Sequence, residues 1–332
     1  MSIIDIVKIL VETQVSQVLL LCHHNSDPDA ICSAYAMQFL IKKLMPNVLV
    51  EIGAGSGVSK LSKHIMKHIP ITVNPNPSTE EVGALILLDT NTIQHLGTIA
   101  EKVKETSAPI IVVDHHAPHP ETEHIARLVI TQEKAASTCE MVYNFYKEVD
   151  TKPDLNVAKA LFLGIAFDTR HFLLANSSTF QTVAELGNLG VNTQEILPIL
   201  SLPMNSSERV ARIKACQRAK LLKIGDWVIA LSRVSAFQAS AARALVDLGA
   251  HLAVVAGQKD GGIEISMRST REFNEVTNIH LGKDIARPLG ESLLGMGGGH
   301  ATAAGVNGIG NVETGLKLCL QLINHKIPII HE

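Results

Sequence analysis

Acids and histidines gather in three short stretches: His23-His24-Asn25-Ser26-Asp27-Pro28-Asp29, Asp89-Thr90 and Asp114-His115-His116. A fourth, Gly164-Ile165-Ala166-Phe167-Asp168-Thr169, adds another carboxylate. Each lies at the end of an apolar run, where carboxylates and imidazoles are costly unless something pairs with them. Several of them converging are most simply paired by divalent metal ions. Asp27 and Asp29 flank Pro28, so in an extended turn their side chains diverge and each can serve a different ion. His23, four residues before Asp27, can return to the first ion. Asp89 has two oxygens and can bridge both ions, and His115 and Asp168 can complete the second. The expected sets are therefore His23, Asp27 and Asp89 on one ion, and Asp29, Asp89, His115 and Asp168 on the other. Oxygen-rich ligation with a minority of imidazole and no thiolate favours two manganese or magnesium ions over zinc. Two such ions about 3.5–4 Å apart suit an in-line displacement at phosphorus, one activating water and both stabilising developing charge. Because imidazole ligands must be neutral, the site is expected to weaken below about pH 6.

The elements that must position these residues are legible as alternation. Short apolar runs (Gln17–Cys22, Val48–Ile52, Ala84–Leu88, Ile110–Val113) are separated by stretches with helical spacing (Ala30–Leu44, Leu61–Ile69, Thr92–Val103). Fully apolar strands between helices predict a parallel α/β sheet. Ligands of such sheets gather at the carboxyl ends of the strands, which is where the clusters begin. From Ser137 to about Leu200 the pattern turns helical, with helix starts expected at Ser137-Thr138-Cys139-Glu140, Asp154, Ser177 and Asn192. Leu202-Pro203-Met204-Asn205-Ser206-Ser207 is the linker candidate, followed by a cationic helical stretch carrying Arg209, Arg212, Lys214, Arg218, Lys220 and Lys223. A second alternation begins near Trp227: strand Val228–Arg233, helix Ser240–Leu248, and strands Leu252–Gly257 and Gly262–Arg268. It ends in the glycine-rich segment from Gly297 to Gly305 and a helix from about Val312. The expected division is residues 1–200, a linker helix over 201–222, and a smaller α/β domain over 223–332.

The chain has 332 residues, enough for two domains, and 29 basic against 32 acidic residues give a net charge of -3. That balance excludes a global attraction to nucleic acid or an anionic membrane, so a polyanionic partner must be caught locally. Cys22, Cys32, Cys139, Cys216 and Cys319 are scattered without a C-x-x-C pair, as in a reduced cytosolic protein. No early apolar run is long enough to span a bilayer and no signal peptide is expected. The expected protein is cytoplasmic, with a homodimer compatible with its apolar content.

With its clusters in this order, the chain resembles the DHH phosphoesterases: Asp114-His115-His116 matches their eponymous motif and HHNSDPDA their first. GGGHATAAG resembles the signature of the C-terminal DHH-associated domain. The resemblance implies the bimetal assignment above, with catalysis by Asp89, Asp168 and His116, the last facing the substrate phosphate. It implies that Arg268, Ser269 and the loop Gly298-Gly299-His300 hold the nucleotide end of the substrate in a cleft between the domains. It is nearest to the short two-domain branch, similar to nanoRNases and cyclic dinucleotide phosphodiesterases. The implied partners are short single-stranded oligonucleotides or dinucleotides, such as pApA, cyclic di-AMP and nanoRNA, cleaved to mononucleotides. Alternatives of the same chemistry are inorganic pyrophosphate, polyphosphate or a 3′-phosphorylated nucleotide; a different class is an inactive nucleotide-sensing module.

Other features have plainer readings. Asp114 is expected to orient a neighbouring histidine or cap its loop. His24 is a ligand neighbour or a surface residue, and His171 either touches substrate or ends a helix. His64 and His68 have zinc-pair spacing without a metalloprotease glutamate between them, as on a solvated helix face. The basic stretch from Arg209 to Lys223 either guides an oligonucleotide or is a charged linker helix. Gly53-Ala54-Gly55-Ser56-Gly57 resembles a nucleotide-cofactor loop, but it follows the second strand rather than the first, a weak signal.

Overall fold

The computed structural model describes residues 2–80, 82–259 and 261–327. The chain divides into two compact units at Leu202/Pro203. In the first, strands β1 (Gln17–Leu21), β2 (Leu49–Gly53), β3 (Ala84–Leu88), β4 (Ile110–Asp114) and β5 (Leu128–Thr131) form a parallel sheet in the order β2-β1-β3-β4-β5. β3 and β4 are buried along their whole length. That explains their unbroken apolar sequence, since helices cover both faces of such a sheet. Burying each of their Leu and Ile side chains contributes roughly 1.5–3 kcal/mol. The strand order reverses between β1 and β3, and the loops leaving those two strands carry His23, Asp27 and Asp89. This is the switch point at which open α/β sheets bind ligands.

The helices of this unit are α1 (Ile3–Glu12), α2 (Pro28–Leu44), α3 (Lys60–Ile65), α4 (Ala100–Lys104), α5 (Pro120–Ile125), α6 (Thr138–Glu148), α7 (Leu155–Asp168), α8 (Ser177–Asn188) and α9 (Thr193–Ile196). Capping sets the key starts. Asp27 caps α2 by accepting from the Ala30 N–H, with Pro28 in the first turn. Ser137 caps α6, Asp154 caps α7 and Asn176 caps α8. Between β3 and α4 the expected helix is instead a 3₁₀ segment, Ile93–Ile99, broken at Gly97 (φ 66). α3 ends at Ile65 rather than Ile69.

The second unit contains α10 (Ser206–Gln217), α11 (Gln238–Asp247), α12 (Arg271–Thr277), α13 (Arg287–Ser292) and α14 (Val312–Lys326). Its strands are β6 (Lys220–Ile224), β7 (Trp227–Arg233), β8 (Leu252–Lys259), β9 (Gly262–Ser269), β10 (Met296–Gly299) and β11 (Ala303–Ile309), in the order β10-β11-β9-β8-β7-β6. Only β7 and β8 pair in parallel, so this sheet is mixed. A helix reaching residue 222 is corrected here. α10 stops at Gln217, and Lys220–Ile224 form an edge strand turned back on β7 through Gly225-Asp226, with Gly225 at φ 57. A two-residue Gly-containing loop is the hairpin connection this geometry requires. A π-helical turn, Leu281–Ala286, precedes α13 and packs against β10. Among the described residues, no helix is long and apolar enough to cross a membrane.

Candidate metal and phosphate site

The first motif leaves β1 and folds back on itself. His23 Nδ1 bonds the His24 carbonyl at 2.9 Å, which leaves Nε2 3.7 Å from Asp27 Oδ1 and 4.0 Å from Asp89 Oδ2. Burial opposes charge on His23, yet the Asp27 carboxylate outweighs it and raises the imidazole pKa. Burial likewise opposes the Asp27 charge, but His23 and the Ala30 N–H hold that carboxyl low. Asp89 sits one residue past β3 with φ 54, a left-handed conformation that aspartate tolerates better than most residues.

Asp29, fully buried in the first turn of α2, meets the N-terminus of α6. Its Oδ2 accepts from the Thr138 N–H at 2.7 Å and its Oδ1 from the Cys139 N–H at 3.0 Å. The Thr138 hydroxyl donates to Asp89 Oδ1 at 3.0 Å, so one residue holds two carboxylates. On the far side, α7 approaches at Gly164. A Cβ there would collide with the Cys139 sulfur and lie 2.8 Å from Asp29 Oδ1. Asp168 ends α7 and places Oδ2 3.0 Å from His115 Nε2, which is also 3.6 Å from Asp89 Oδ1.

Donor atoms of His23, Asp27 and Asp89 lie within 4.8 Å of one another, as do those of Asp29, Asp89, His115 and Asp168. All six metal-ligand candidates of the sequence are thus brought together, in the two expected sets with Asp89 in both. The electrostatics show why this arrangement needs cations. Burial, together with Asp168, raises the Asp29 pKa to about 7. Burial and the neighbouring Asp29 push Asp89 well above the usual carboxylate range. Burial works against charge on His115, but Asp168 and Asp29 lift it to about 9. His115 Nε2 is buried and points among these carboxylates, nearest to Asp168 Oδ2 at 3.0 Å. The donor set fits hard divalent ions: four carboxylates and two imidazoles, while the nearby thiols of Cys22 and Cys139 are pushed up by burial and stay protonated.

His116 points elsewhere. Its Nδ1 bonds Asp114 Oδ1 at 2.7 Å, and the same oxygen accepts the His116 backbone N–H at 3.0 Å. Asp114 is 1 % exposed and His116 60 %, so a buried carboxylate orients an open ring and raises its pKa. Asp114 therefore orients a histidine, as its position suggested. A third set of donor atoms within 4.8 Å, Asp89, Asp114, His115 and His116, overlaps the second.

In the second unit Arg268 and Ser269 end β9, and Arg268 is in register with Ala303 of β11. The His300 N–H donates to the Ala303 carbonyl at 2.7 Å, so Arg268 and the glycine-rich turn are neighbours. The guanidinium is half-buried, bonded to the Met267 carbonyl at 2.8 Å, and burial with nearby Arg243 lowers its pKa. Ser269 Oγ is buried without a partner in the described structure. The glycines divide in role. Gly297 packs against the Ala286 carbonyl and Gly299 (φ 141) against the Ala303 carbonyl, whereas a side chain at exposed Gly298 would meet nothing.

The remaining features resolve simply. His24 is exposed and bonds the His95 carbonyl at 2.8 Å. His64 and His68 stack edge to face at 5.1 Å with no acid between them. In the 53–57 loop, a Cβ at Gly55 would lie 2.8 Å from the Leu96 carbonyl, so close packing accounts for that glycine. Thr138 and the Cys139 amide were invisible as site residues, because a threonine after a serine cap reads only as a helix start.

The class follows from this combination: a parallel α/β unit whose strand ends gather an acid- and imidazole-lined binuclear pocket beside an exposed histidine, as in a phosphoester hydrolase. Residues 17–165 match the DHH family, N-terminal domain. An uncharacterized protein of Methanocaldococcus jannaschii is 36% identical over 293 residues, 88% of this chain and 87% of that one. A cyclic-di-AMP phosphodiesterase of Listeria monocytogenes is 28% identical over 196 residues, 54% of this chain but 29% of the enzyme. A probable manganese-dependent inorganic pyrophosphatase of Streptococcus suis is 28% identical over 205 residues, 59% of this chain and 63% of that protein. The crystal structure of an exopolyphosphatase-related protein from Bacteroides fragilis superposes with TM-score 0.64 at 18% identity, over 97% of this chain and 95% of that one, a likeness of fold. The chain belongs to the DHH family of metal-dependent phosphoesterases.

Proposed function

We propose that this protein is a manganese-dependent phosphodiesterase that hydrolyses dinucleotides or very short oligonucleotides to mononucleotides. The observation that carries the reading is the pair of donor sets sharing Asp89. Bound there, two divalent ions supply an activated water and offset charge at phosphorus. The chain does the rest. Asp29, Asp89 and Asp168 would hold the cations, and the donors of Thr138 and Cys139 orient the first two of these carboxylates. Asp114 fixes His116 so that its outward nitrogen meets a non-bridging phosphate oxygen. In the second unit, which we assign as the DHH-associated domain, Arg268, Ser269 and Gly298-Gly299-His300 receive the nucleotide. The partnerless Ser269 hydroxyl supports that assignment, as does the activity named for the Listeria relative. The streptococcal relative's name favours a second reading, an inorganic pyrophosphatase. The cysteines, unpaired and four of them buried, support a reducing compartment such as the cytoplasm.

A substrate panel with manganese tests the reading: pApA, cyclic di-AMP, a short RNA and pyrophosphate. Hydrolysis of a nucleotide substrate in preference to pyrophosphate is expected. Asp89→Ala is expected to abolish turnover while the protein stays folded, and His300→Ala to raise KM for nucleotides. Preferential cleavage of pyrophosphate, or full turnover by Asp89→Ala, overturns it.

A further inference from the structure

Between the starts of α6 and α8 lies a buried carboxyl group that is not among the metal-ligand candidates. Glu140 is 1 % exposed, and its hydrogen bonds come from neutral donors. Its Oε2 accepts from the Ala136 N–H at 3.2 Å and from the Thr179 hydroxyl at 3.0 Å, and its Oε1 from the Ser178 hydroxyl at 2.6 Å. Burying such a group is costly, and an apolar side chain fills a similar space at less cost. What Glu140 holds in place is the start of both helices.

Ala136 precedes Ser137, the cap of α6, and this turn delivers three donors to the pocket. They are the Thr138 and Cys139 amides on Asp29 and the Thr138 hydroxyl on Asp89. Ser178 and Thr179 stand in the first turn of α8, the next helix after Asp168 ends α7. Asn176, the cap of α8, also reaches back, its Nδ2 donating to the Lys134 carbonyl at 3.2 Å. Glu140 thus joins the segment that orients Asp29 and Asp89 to the segment that continues from Asp168. With His115, these three acids form the second donor set. The residues particular to the first set are held by other means. The Ser26 hydroxyl donates to the His23 carbonyl, and the Ser26 carbonyl accepts from the Ser62 hydroxyl at 2.7 Å and the Ser59 N–H at 2.9 Å. Asp27 accepts from the Ala30 N–H at 3.2 Å. None of these bonds runs through α6 or α8.

We propose that Glu140 is a positioning residue for the second ion, tying the starts of α6 and α8 together so that Asp29, Asp89 and Asp168 keep a common spacing. The proposal rests on the assignment of two ions to the paired donor sets, and its test reads metal binding rather than turnover. Manganese is titrated calorimetrically into the metal-stripped full chain. Asp168→Ala, which removes a donor of the second set only, marks the binding step that belongs to that ion. Glu140→Ala is expected to weaken this step at least tenfold and to leave the other within threefold of wild type. Glu140→Gln is expected to restore it to within threefold. The Ala136 amide can only donate, so the glutamine carbonyl takes the place of Oε2, and its NH₂ meets the Ser178 hydroxyl, which can accept. Ser178→Ala, at an exposed position that leaves the fold intact, is expected to weaken the same step about threefold. Unchanged affinities in Glu140→Ala and Ser178→Ala, an equal loss at both ions, or a loss in Glu140→Gln as large as in Glu140→Ala overturns the proposal. If Glu140→Ala does not fold, Ser178→Ala decides alone, and wild-type affinity in that variant overturns it. Uptake of a single ion by the wild type removes the paired-site assignment and this proposal with it, whereas two ions bound without the selective loss removes this proposal alone.

Discussion

Thr138→Val separates orientation of the pocket from its mere presence. Valine matches threonine in shape, so the change removes one hydroxyl at a site with no solvent access and leaves the backbone bond to Asp29 in place. The hydroxyl donates to Asp89 at 3.0 Å. Burial and Asp29 raise the Asp89 pKa and so favour its neutral form when metal is absent, and a bond lost to a neutral partner costs about 0.5–1.5 kcal/mol. With metal bound the carboxylate is ionised, and the same bond is worth about 1.5–3 kcal/mol. The difference, about 1–1.5 kcal/mol, falls on metal binding and weakens it about five- to tenfold. Titrating manganese into metal-stripped protein by calorimetry measures this directly, with Thr138→Ser expected to stay within twofold of wild type. Wild-type affinity in Thr138→Val, or an equal loss in Thr138→Ser, would refute the reasoning.

Three further outcomes are expected. For Asp29 the folded pKa, about 7, lies above the unfolded value, so its contribution to stability is present in acid and lost as pH rises toward 7. His115, raised to about 9, contributes fully below its unfolded value and loses that contribution as pH climbs to 9. The Tm of metal-stripped protein should therefore fall between pH 5 and 9, manganese should restore most of it above pH 7, and rising Tm without metal would contradict the assignment. Because both ligands must shed protons, manganese affinity should begin to weaken below about pH 9, above the pH 6 threshold that an unperturbed imidazole suggests, with proton release detectable in weakly buffered solution. Gly164→Ala, although alanine is the better helix former, should destabilise by about 1–3 kcal/mol and lower Tm, since its Cβ has no space beside Cys139 and Asp29.

The metal pocket was more legible in the sequence than the structure that supports it. Ala84–Leu88 and Ile110–Val113 are unbroken apolar runs because both faces of β3 and β4 are covered, and the acids that follow them stand out against that background. β5 and β6 went unread for the opposite reason. Leu128–Thr131 is a half-exposed edge of four residues, and Lys220 and Lys223 carry helical i, i+3 spacing in what is an exposed edge strand. At Gly297 and Gly299 sequence alone cannot separate phosphate recognition from close backbone packing, since both need the absence of a Cβ. Thr138 acts through contacts 49 and 109 residues distant in the chain and Gly164 through Cys139 and Asp29, separations at which local pattern carries no signal.

That distance has a consequence for biosynthesis. The bonds from Thr138 and Cys139 to Asp29 span 109 and 110 residues, and Asp168 lies further on still. A nascent chain emerges from its amino end, so the early acids at Asp27, Asp29 and Asp89 leave the ribosome long before α6 and α7 exist to orient them. The pocket can be completed only when almost the whole first unit has been made, and a chain interrupted short of that point lacks the arrangement that retains its ions.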